Sequence, residues 1–521
     1  MNYGFIIDNR KCIGCHACTV ACKSEHEVPI GVNRTWVKYI EKGEFPDTRR
    51  LFSVMRCNHC ADAPCVEICP VTALYTRTDG IVDFDDRRCI ACKACTQACP
   101  YDALYMHPEF HTAAKCNYCT HRVDVGLEPA CVVVCPEHAI ISGDMDNPET
   151  EISKLLARET VSVRKPEKGT EPKLFYIDGD SVSLRPTESD PNTDYMWSSQ
   201  SSGVGKFAKF AEEKKAANAD KTVPKKLHQI EPRQKKDARR VYDAPGKGIL
   251  WGWEVYAYIL TKAIAAGAFF IPVIAGFFTD VPPEFKQIGA LVSLVFLALT
   301  GVLLIMDLGR PDRFLNVLLR PQWKSWLTRG AYIITGYGGL ATLWLGASYF
   351  EFDMIADIVA PIAAVLSLLT AIYTAFLFAQ AKGRDFWQSP MLGVHMLIHS
   401  VMAGSAILMI PAFIFEQFAP LQSVLLATLA VSIAVHLVTL AIELTTTHTT
   451  EDAQTVAKMI VKGEFSRGFW VGMILAGNVI PLTLALTSGV AFVPLIVLLV
   501  ITGLYKAQEI WVKAPQTIQL S

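Results

Sequence analysis

Cys12-Ile-Gly-Cys15-His-Ala-Cys18-Thr-Val-Ala-Cys22 is the first of four cysteine runs, and together these decide how the chain is read. All 16 cysteines of the 521 residues lie between Cys12 and Cys135. The second run is Cys57, Cys60, Cys65 and Cys69. The third is Cys89, Cys92, Cys95 and Cys99, and the fourth is Cys116, Cys119, Cys131 and Cys135. Runs one and three leave gaps of two, two and three residues, whereas run two widens the middle gap to four and run four to eleven. Pro70, Pro100 and Pro136 directly follow the last cysteine of their runs.

Two-residue gaps let a looped backbone aim three thiolates at one small polynuclear centre. The three-residue gap and the proline then carry the fourth thiolate to a neighbouring centre, the arrangement of bacterial [4Fe–4S] clusters. Structural zinc uses two separated Cys-x2-Cys pairs rather than triplets with a trailing cysteine. Regular triplets are not a bridging pattern for disulfides either. The spacing therefore predicts four [4Fe–4S] clusters with all 16 cysteines as ligands.

Composition divides the chain sharply. The net charge is −1 and 51% of residues are hydrophobic, but residues 1–248 are polar and hold every cysteine, while 249–511 are almost continuously apolar. The expected fold is an α+β double ferredoxin-like domain over 1–183, a basic linker over 184–248, an all-α bundle of eight transmembrane helices over 249–511, and a cytoplasmic tail over 512–521. Strand signals lie at Phe5-Ile6-Ile7, Ile81–Phe84, Ala139–Ile141 and Lys173–Ile177. Asn147-Pro148-Glu149 opens a short helix to about Arg158. Such a domain has little conventional core, so the clusters themselves are expected to hold it together.

The linker carries 13 basic residues between Lys206 and Lys247, among them Lys214, Lys225, Arg233, Arg239 and Arg240. A juxtamembrane segment beside anionic lipid explains them better than nucleic-acid binding. Eight apolar stretches follow, near 252–278, 286–307, 327–349, 354–380, 390–415, 420–445, 468–487 and 490–510, each long enough to cross a bilayer. Lys and Arg concentrate in alternate loops, including Arg310, Arg313, Arg320, Lys324, Lys382, Arg384, Lys458 and Lys462. The positive-inside rule then places both termini and the cluster domain on the cytoplasmic side of the inner membrane. The start Met-Asn-Tyr-Gly-Phe-Ile-Ile, with neither an apolar leader segment nor a twin arginine, agrees.

Ionisable residues inside a bilayer are costly and so are functional candidates. Glu254, Tyr258 and Lys262 share one face of the first span. His395 and His399 form an i, i+4 pair on the fifth, and His436 and Glu443 lie on the sixth. Asp307 opens Asp307-Leu-Gly-Arg310-Pro after the second. Tyr, His, Lys and carboxylates in an apolar cleft supply the hydrogen bonds and proton route that a quinone needs. Glu254, Tyr258, Lys262, His395 and His399 are the candidate reacting set, with Asp307, Arg310 and Glu443 as candidate cofactor-binding residues. Two further readings stay open: Asp307 with Arg310 or Arg313 as a loop-fixing ion pair, and His399 with His436 as axial ligands of a b-type haem.

Residues 1–180 resemble the four-cluster electron-transfer subunit of complex iron–sulfur molybdoenzymes, on the order of the four runs and their widened gaps. Residues 245–511 resemble the NrfD/PsrC-type quinone-reactive anchor, on Asp307-Leu-Gly-Arg310-Pro, Trp323-Lys-Ser-Trp326, and Glu443 through His448-Thr-Thr-Glu451-Asp-Ala. The resemblance implies that Cys12, Cys15 and Cys18 share a cluster with Cys135, and Cys116, Cys119 and Cys131 with Cys22. Likewise Cys57, Cys60 and Cys65 pair with Cys99, and Cys89, Cys92 and Cys95 with Cys69. It implies an electron-transfer and anchor subunit that links a molybdopterin (bis-MGD) catalytic subunit to menaquinone or ubiquinone. The catalytic partner so implied is a sulfite dehydrogenase or another sulfur-compound oxidoreductase. Such a protein is not substrate-active alone. A redox-coupled proton-translocating module and a haem-containing anchor are the alternatives.

Overall fold

The computed structural model describes residues 1–44, 46–189, 238–244, 246–487 and 489–521. Of the expected basic run from Lys206 to Lys247, the part up to Lys236 lies outside the described residues. The chain divides into two units, Met1–Leu250 with Gln519–Ser521, and Trp251–Ile518.

In the first unit, segments far apart in sequence build one sheet. Strand β1 (Tyr3–Asp8) lies between β8 (Ile140–Asp144), antiparallel, and β10 (Leu174–Ile177), parallel, and the two-residue β9 (Val161–Ser162) pairs with β10. The two-residue side-chain period sorts β1 between two faces. Phe5 and Ile7 pack with Val54, Tyr118, Val132 and Tyr176, while Ile6 packs with Ile141, Ile152 and Ile177. These two layers form a conventional core, which corrects the expectation that the clusters supply nearly all of it.

A second sheet holds β2 (Thr35–Lys42), β3 (Arg49–Arg56) and β11 (Ala238–Tyr242). Strand β11 falls inside the expected linker, so the tail end of that segment is structured: alternation seats Arg240 inside, where it pairs with Asp243 at 3.0 Å. Two short hairpins, β4–β5 (Leu74–Thr76 and Val82–Phe84) and β6–β7 (Leu104–Met106 and Ala113–Lys115), separate the later cysteine runs. The expected helix at Asn147 begins later, as Glu151–Arg158. Asn147 Oδ1 instead accepts the Glu149 N–H in a turn (3.0 Å), and Thr150 supplies the cap, accepting the Ser153 N–H (3.4 Å).

In the second unit, seven helices among the described residues are long and apolar enough to cross a membrane. They are Trp253–Ala275, Pro283–Met306, Asp353–Gln380, Met391–Ile414, Glu416–Thr445, Gly468–Thr487 and Val490–Gln516. The expected third span is a continuous helix, Trp326–Tyr349, in which Gly, Thr and Tyr dilute the apolar residues. The final helix runs on to Gln516, because Leu504, Ala507, Gln508, Trp511 and Val512 keep a buried face at helical spacing. The expected tail over 512–521 is therefore split between this helix and the last three residues, which belong to the first unit.

Leu291, Val295, Leu299, Val302 and Met306 form an exposed apolar stripe along Pro283–Met306, a face that lipid solvates and water does not. Close approach inside the bundle relies on small residues. Gly477 faces Gly503, and a Cβ on Gly477 would sit 2.5 Å from the Gly503 Cα.

Candidate metal centres and a buried polar site in the membrane domain

The four cysteine runs share one local plan. The residue before the second cysteine of each run, Gly14, His59, Ala91 or Tyr118, has positive φ (71°, 43°, 58° and 65°). The third cysteine is the second residue of a helix in every run: Ala17–Glu25, Pro64–Glu67, Ala94–Ala98 and Ala130–Val133. Where proline follows the fourth cysteine, the residue three beyond that cysteine is left-handed again: Thr72, Asp102 or His138. Run one has Lys23 in place of proline, and its helix simply continues to Glu25. Left-handed conformations at non-glycine residues cost about 1–3 kcal/mol each. A bound group that takes four ligands offsets such a cost.

The runs then interleave. One cavity is lined by Cys12, Cys15, Cys18 and Cys135, and another by Cys69, Cys89, Cys92 and Cys95. After burial, the strongest influences on Cys22 come from Cys116 and Cys131, and those on Cys60 come from Cys57 and Cys99. All 16 thiols are free. Burial pushes the Cys18 and Cys119 thiols up to about 12, so they keep their protons until a metal displaces them. Backbone N–H groups donate to Sγ of Cys69 (Ala73, 3.2 Å), Cys89 (Ala113, 3.4 Å) and Cys135 (Ala139, 3.2 Å). Convergent thiols in loops that aim amides at sulfur fit iron–sulfur clusters.

In the second unit, three helices and a π-helical segment, Gly468–Val479, assemble a buried polar site. His395 and His399 lie one turn apart on Met391–Ile414, so both face the same neighbours. Asn478 Nδ2 donates to the Met473 carbonyl (2.8 Å), which fixes Oδ1 as the acceptor for His436 Nδ1–H (2.9 Å). A neutral His436 is then bare at Nε2, so His399 Nε2–H donates to it (3.0 Å). His399 Nδ1 in turn accepts from Gln508 Nε2 (2.8 Å). The result is a hydrogen-bonded relay of one polarity, from Gln508 through His399 and His436 to Asn478.

Beside it, His395 Nε2 comes within 3.0 Å of Glu443 Oε2. The approach is off the hydrogen-bond axis, so neither Glu443 oxygen has a hydrogen-bond partner among the described residues, although Glu443 is only 3% exposed. A small cavity opens here between His395, His399, His436, Gln508, Trp511 and Met396. A larger cavity lies elsewhere in the unit, near Tyr349 and Phe418, with Glu284 as the charged residue of its lining.

A second polar group forms around Lys262, which is fully buried. Its Nζ donates to Thr374 Oγ1 (2.5 Å) and sits 4.4 Å from the Tyr373 ring centre. Tyr258 shares Thr374 and lies within electrostatic reach of Asp307.

Polysulphide reductase, NrfD, is the family whose model matches residues 244–508, and 4Fe-4S dicluster domains match residues 48–145 and 11–74. This protein belongs to the NrfD family. Its NrfD domain is fused to an iron–sulfur domain whose relatives are components of reductases. A tetrathionate reductase subunit of Salmonella typhimurium is 43% identical over 188 residues, covering 35% of this chain and 75% of that protein. A polysulfide reductase chain of Wolinella succinogenes is 43% identical over 180 residues, 34% of this chain and 93% of that protein. The arsenate respiratory reductase iron-sulfur subunit of Shewanella is 33% identical over 227 residues, 34% of this chain and 96% of that protein. The protein is thus an iron–sulfur electron-transfer protein with a membrane domain, a component of a redox complex.

Within the NrfD domain, the candidate residues read from sequence separate into two groups. His395, His399 and Glu443 meet, with His436. Tyr258 and Lys262 meet at Thr374 and do not line the histidine cavity, and Glu254 lies half-buried one turn before Tyr258. Arg310 and Arg313 both pair with Asp312, at 3.0 and 3.7 Å. His399 Nε2 and His436 Nε2 are in direct hydrogen-bond contact at 3.0 Å, an arrangement that differs from two axial ligands on one iron. Asn478, Gln508, Tyr373 and Thr374 were not singled out from sequence. The available signal was an amide in an apolar helix, Ala-Gly-Asn478-Val, whose partner no local pattern names.

Proposed function

We propose that this protein passes electrons between a catalytic subunit and the membrane quinone pool through four [4Fe–4S] clusters. Their ligand sets are Cys12, Cys15, Cys18 and Cys135; Cys116, Cys119, Cys131 and Cys22; Cys57, Cys60, Cys65 and Cys99; and Cys89, Cys92, Cys95 and Cys69. The clusters supply one-electron carriers, and the protein supplies spacing, burial and hydrogen bonds to sulfur. The catalytic partner is a molybdopterin (bis-MGD) subunit acting on a sulfur compound or a related oxyanion. The names of the relatives support that class.

The quinone head group, menaquinone or ubiquinone, docks in the cavity between His395, His399 and Trp511. His395, backed by Glu443, accepts a proton from quinol or returns one to quinone. The hydrogen-bonded relay from His399 to Asn478 holds the neighbouring rings in one tautomer. Oxidation of quinol releases two electrons to the clusters, one at a time, and two protons to these side chains; reduction of quinone runs the same steps backwards. The carrying observation is the off-axis His395–Glu443 approach beside a buried cavity, an acid–base pair with unused hydrogen-bonding capacity. Trp326–Tyr349 completes eight spans, and loop charge puts the iron–sulfur domain on the cytoplasmic side of the inner membrane.

His395→Gln tests this reading in membrane vesicles with intact clusters. Reduction of the clusters by added quinol should fall at least about a hundredfold, the range of general acid–base catalysis. A wild-type rate would overturn the site. Redox-linked proton movement is the second reading, favoured by the single polarity of the Gln508–His399–His436–Asn478 relay. It requires that quinol turnover acidify or alkalinise the vesicle lumen beyond the protons of the quinone chemistry itself.

A further inference from the structure

A buried cation precedes the first cysteine of run two and of run four. Arg56 is fully buried at the end of β3, and Lys115 is fully buried at the end of β7. Arg56 does not serve the run it introduces, and Lys115 touches its own run at the Cys116 carbonyl while its charge lies beside another. Arg56 Nη1 donates to Sγ of Cys131 (3.1 Å), and after burial its strongest electrostatic partners are Cys131, Cys116 and Cys18. Its remaining Nε and Nη2 have no hydrogen-bond partner among the described residues, and its guanidinium lies 4.5 Å from the Phe5 ring centre. Lys115 Nζ donates to the carbonyls of Val82 and Cys116. The Val82 N–H donates in turn to Nδ1 of His59, inside run two (3.2 Å), and the Lys115 ammonium is the strongest electrostatic influence on the neighbouring Cys57 thiol after burial.

A guanidinium in a dry interior costs several kcal/mol unless an anion compensates it. No carboxylate among the described residues lies within ion-pair distance of Arg56; sulfur ligands surround it instead. Two N–H groups without partners in such a place fit an anionic cluster ligated by those cysteines. The placement is reciprocal. Each cation leaves the backbone one residue before a ligand of one cluster pair and delivers its charge to the other pair. Lys11 and Arg88 precede runs one and three in the same way but are exposed, so of these four cations only Arg56 and Lys115 are inside.

We propose that Arg56 and Lys115 set the reduction potentials of the two clusters that face one another where the pairs meet, and that they do so crosswise. Arg56 acts on the cluster of Cys116, Cys119, Cys131 and Cys22. Lys115 acts on the cluster of Cys57, Cys60, Cys65 and Cys99. Reduction adds one negative charge to a cluster, and a cation held in low dielectric stabilises the reduced form more than the oxidised one. Both potentials are thereby raised, and an electron crosses from one pair to the other without meeting a deep step. The inference rests on the ligand sets proposed above.

EPR-monitored redox titration of the full-length protein in detergent tests it. Signals are assigned first with Cys22→Ser and Cys60→Ser. Arg56→Met should shift the Cys22-dependent cluster to lower potential, and Lys115→Met the Cys60-dependent one. The expected size is at least a tenfold fall in the reduced-to-oxidised ratio at fixed potential, about 59 mV for one electron. Arg56→Lys, which keeps the charge, should recover most of the shift. If Arg56→Met fails to assemble one cluster, loss of the Cys22-dependent signal alone supports the assignment, and loss of the Cys60-dependent signal overturns it. Unshifted potentials with full iron content overturn the proposal and leave the ligand sets standing. Fewer than four clusters in the unaltered protein would instead refute the ligand sets.

Discussion

Asn478 imposes a tautomer on His436. With its amide nitrogen committed to the Met473 carbonyl, Asn478 presents only an oxygen at 2.9 Å, and His436 must carry its proton on Nδ1. Asn478→Leu removes this constraint and leaves a buried N–H without an acceptor, at a cost of about 1–3 kcal/mol. Quinol-linked cluster reduction should fall about tenfold or more while the EPR signals stay as they are. An unchanged rate would separate the histidine relay from turnover.

Lys262 carries a fully buried amine whose contacts are a hydroxyl and an aromatic ring, with no paired carboxylate among the described residues. Replacing a buried amine that has no anionic partner by an apolar side chain of similar length removes a desolvation cost. Lys262→Met should therefore raise the unfolding temperature of the NrfD domain and leave quinol turnover, which the histidine cavity carries, close to the wild-type rate. A clear loss of turnover at full stability would bring Lys262 into the quinone site.

The interleaved cysteines make a specific claim about which variants look alike. Cys22→Ser and Cys116→Ser should perturb the same EPR signal although they belong to different runs. Cys12→Ser and Cys22→Ser, ten residues apart in one run, should perturb different ones. If the two variants of run one act on one signal, each run keeps its own cluster.

Gly267 and Gly404 bring Trp253–Ala275 against Met391–Ile414, the helix that carries His395 and His399. A Cβ on Gly267 would lie 2.8 Å from the Gly404 Cα and would collide with the Ser400 carbonyl. Gly267→Val should destabilise the domain by about 1–3 kcal/mol through overpacking. It should also slow quinol turnover, because the histidines ride on the displaced helix. Thermal unfolding followed by tryptophan fluorescence in detergent measures the first effect, and an unchanged midpoint would contradict the close approach.

Several features were legible in the sequence for direct physical reasons. Cysteine spacing is a local constraint, so four runs of four announce iron–sulfur ligation before any fold is known. Apolar stretches of bilayer length announce helices in the same way, as do β-branched segments such as Phe5-Ile6-Ile7 the strands. Lys262, His395, His399 and Glu443 stood out because ionisable groups in such helices are costly wherever they point. The misplacements were equally local in origin: Asn147 made a turn instead of a cap, and β11 lay in a segment whose charge hid its alternation.

Which runs lie beside one another, and which polar side chains meet, depends on packing that no local pattern encodes. Helical periodicity defines a face but does not name the face packed against it. His399, His436, Asn478 and Gln508 come from separate helical segments, 37, 42 and 109 residues apart along their hydrogen bonds. Only packing could place Lys262 with Tyr373 rather than with the histidines, and turn Arg56 away from its neighbour Cys57 towards Cys131. Residue types and spacing were enough to say that electrons move here beside a membrane. Three-dimensional packing, which alone brings distant side chains within reach, sets where the protons can sit and which cluster ligands the buried charges face.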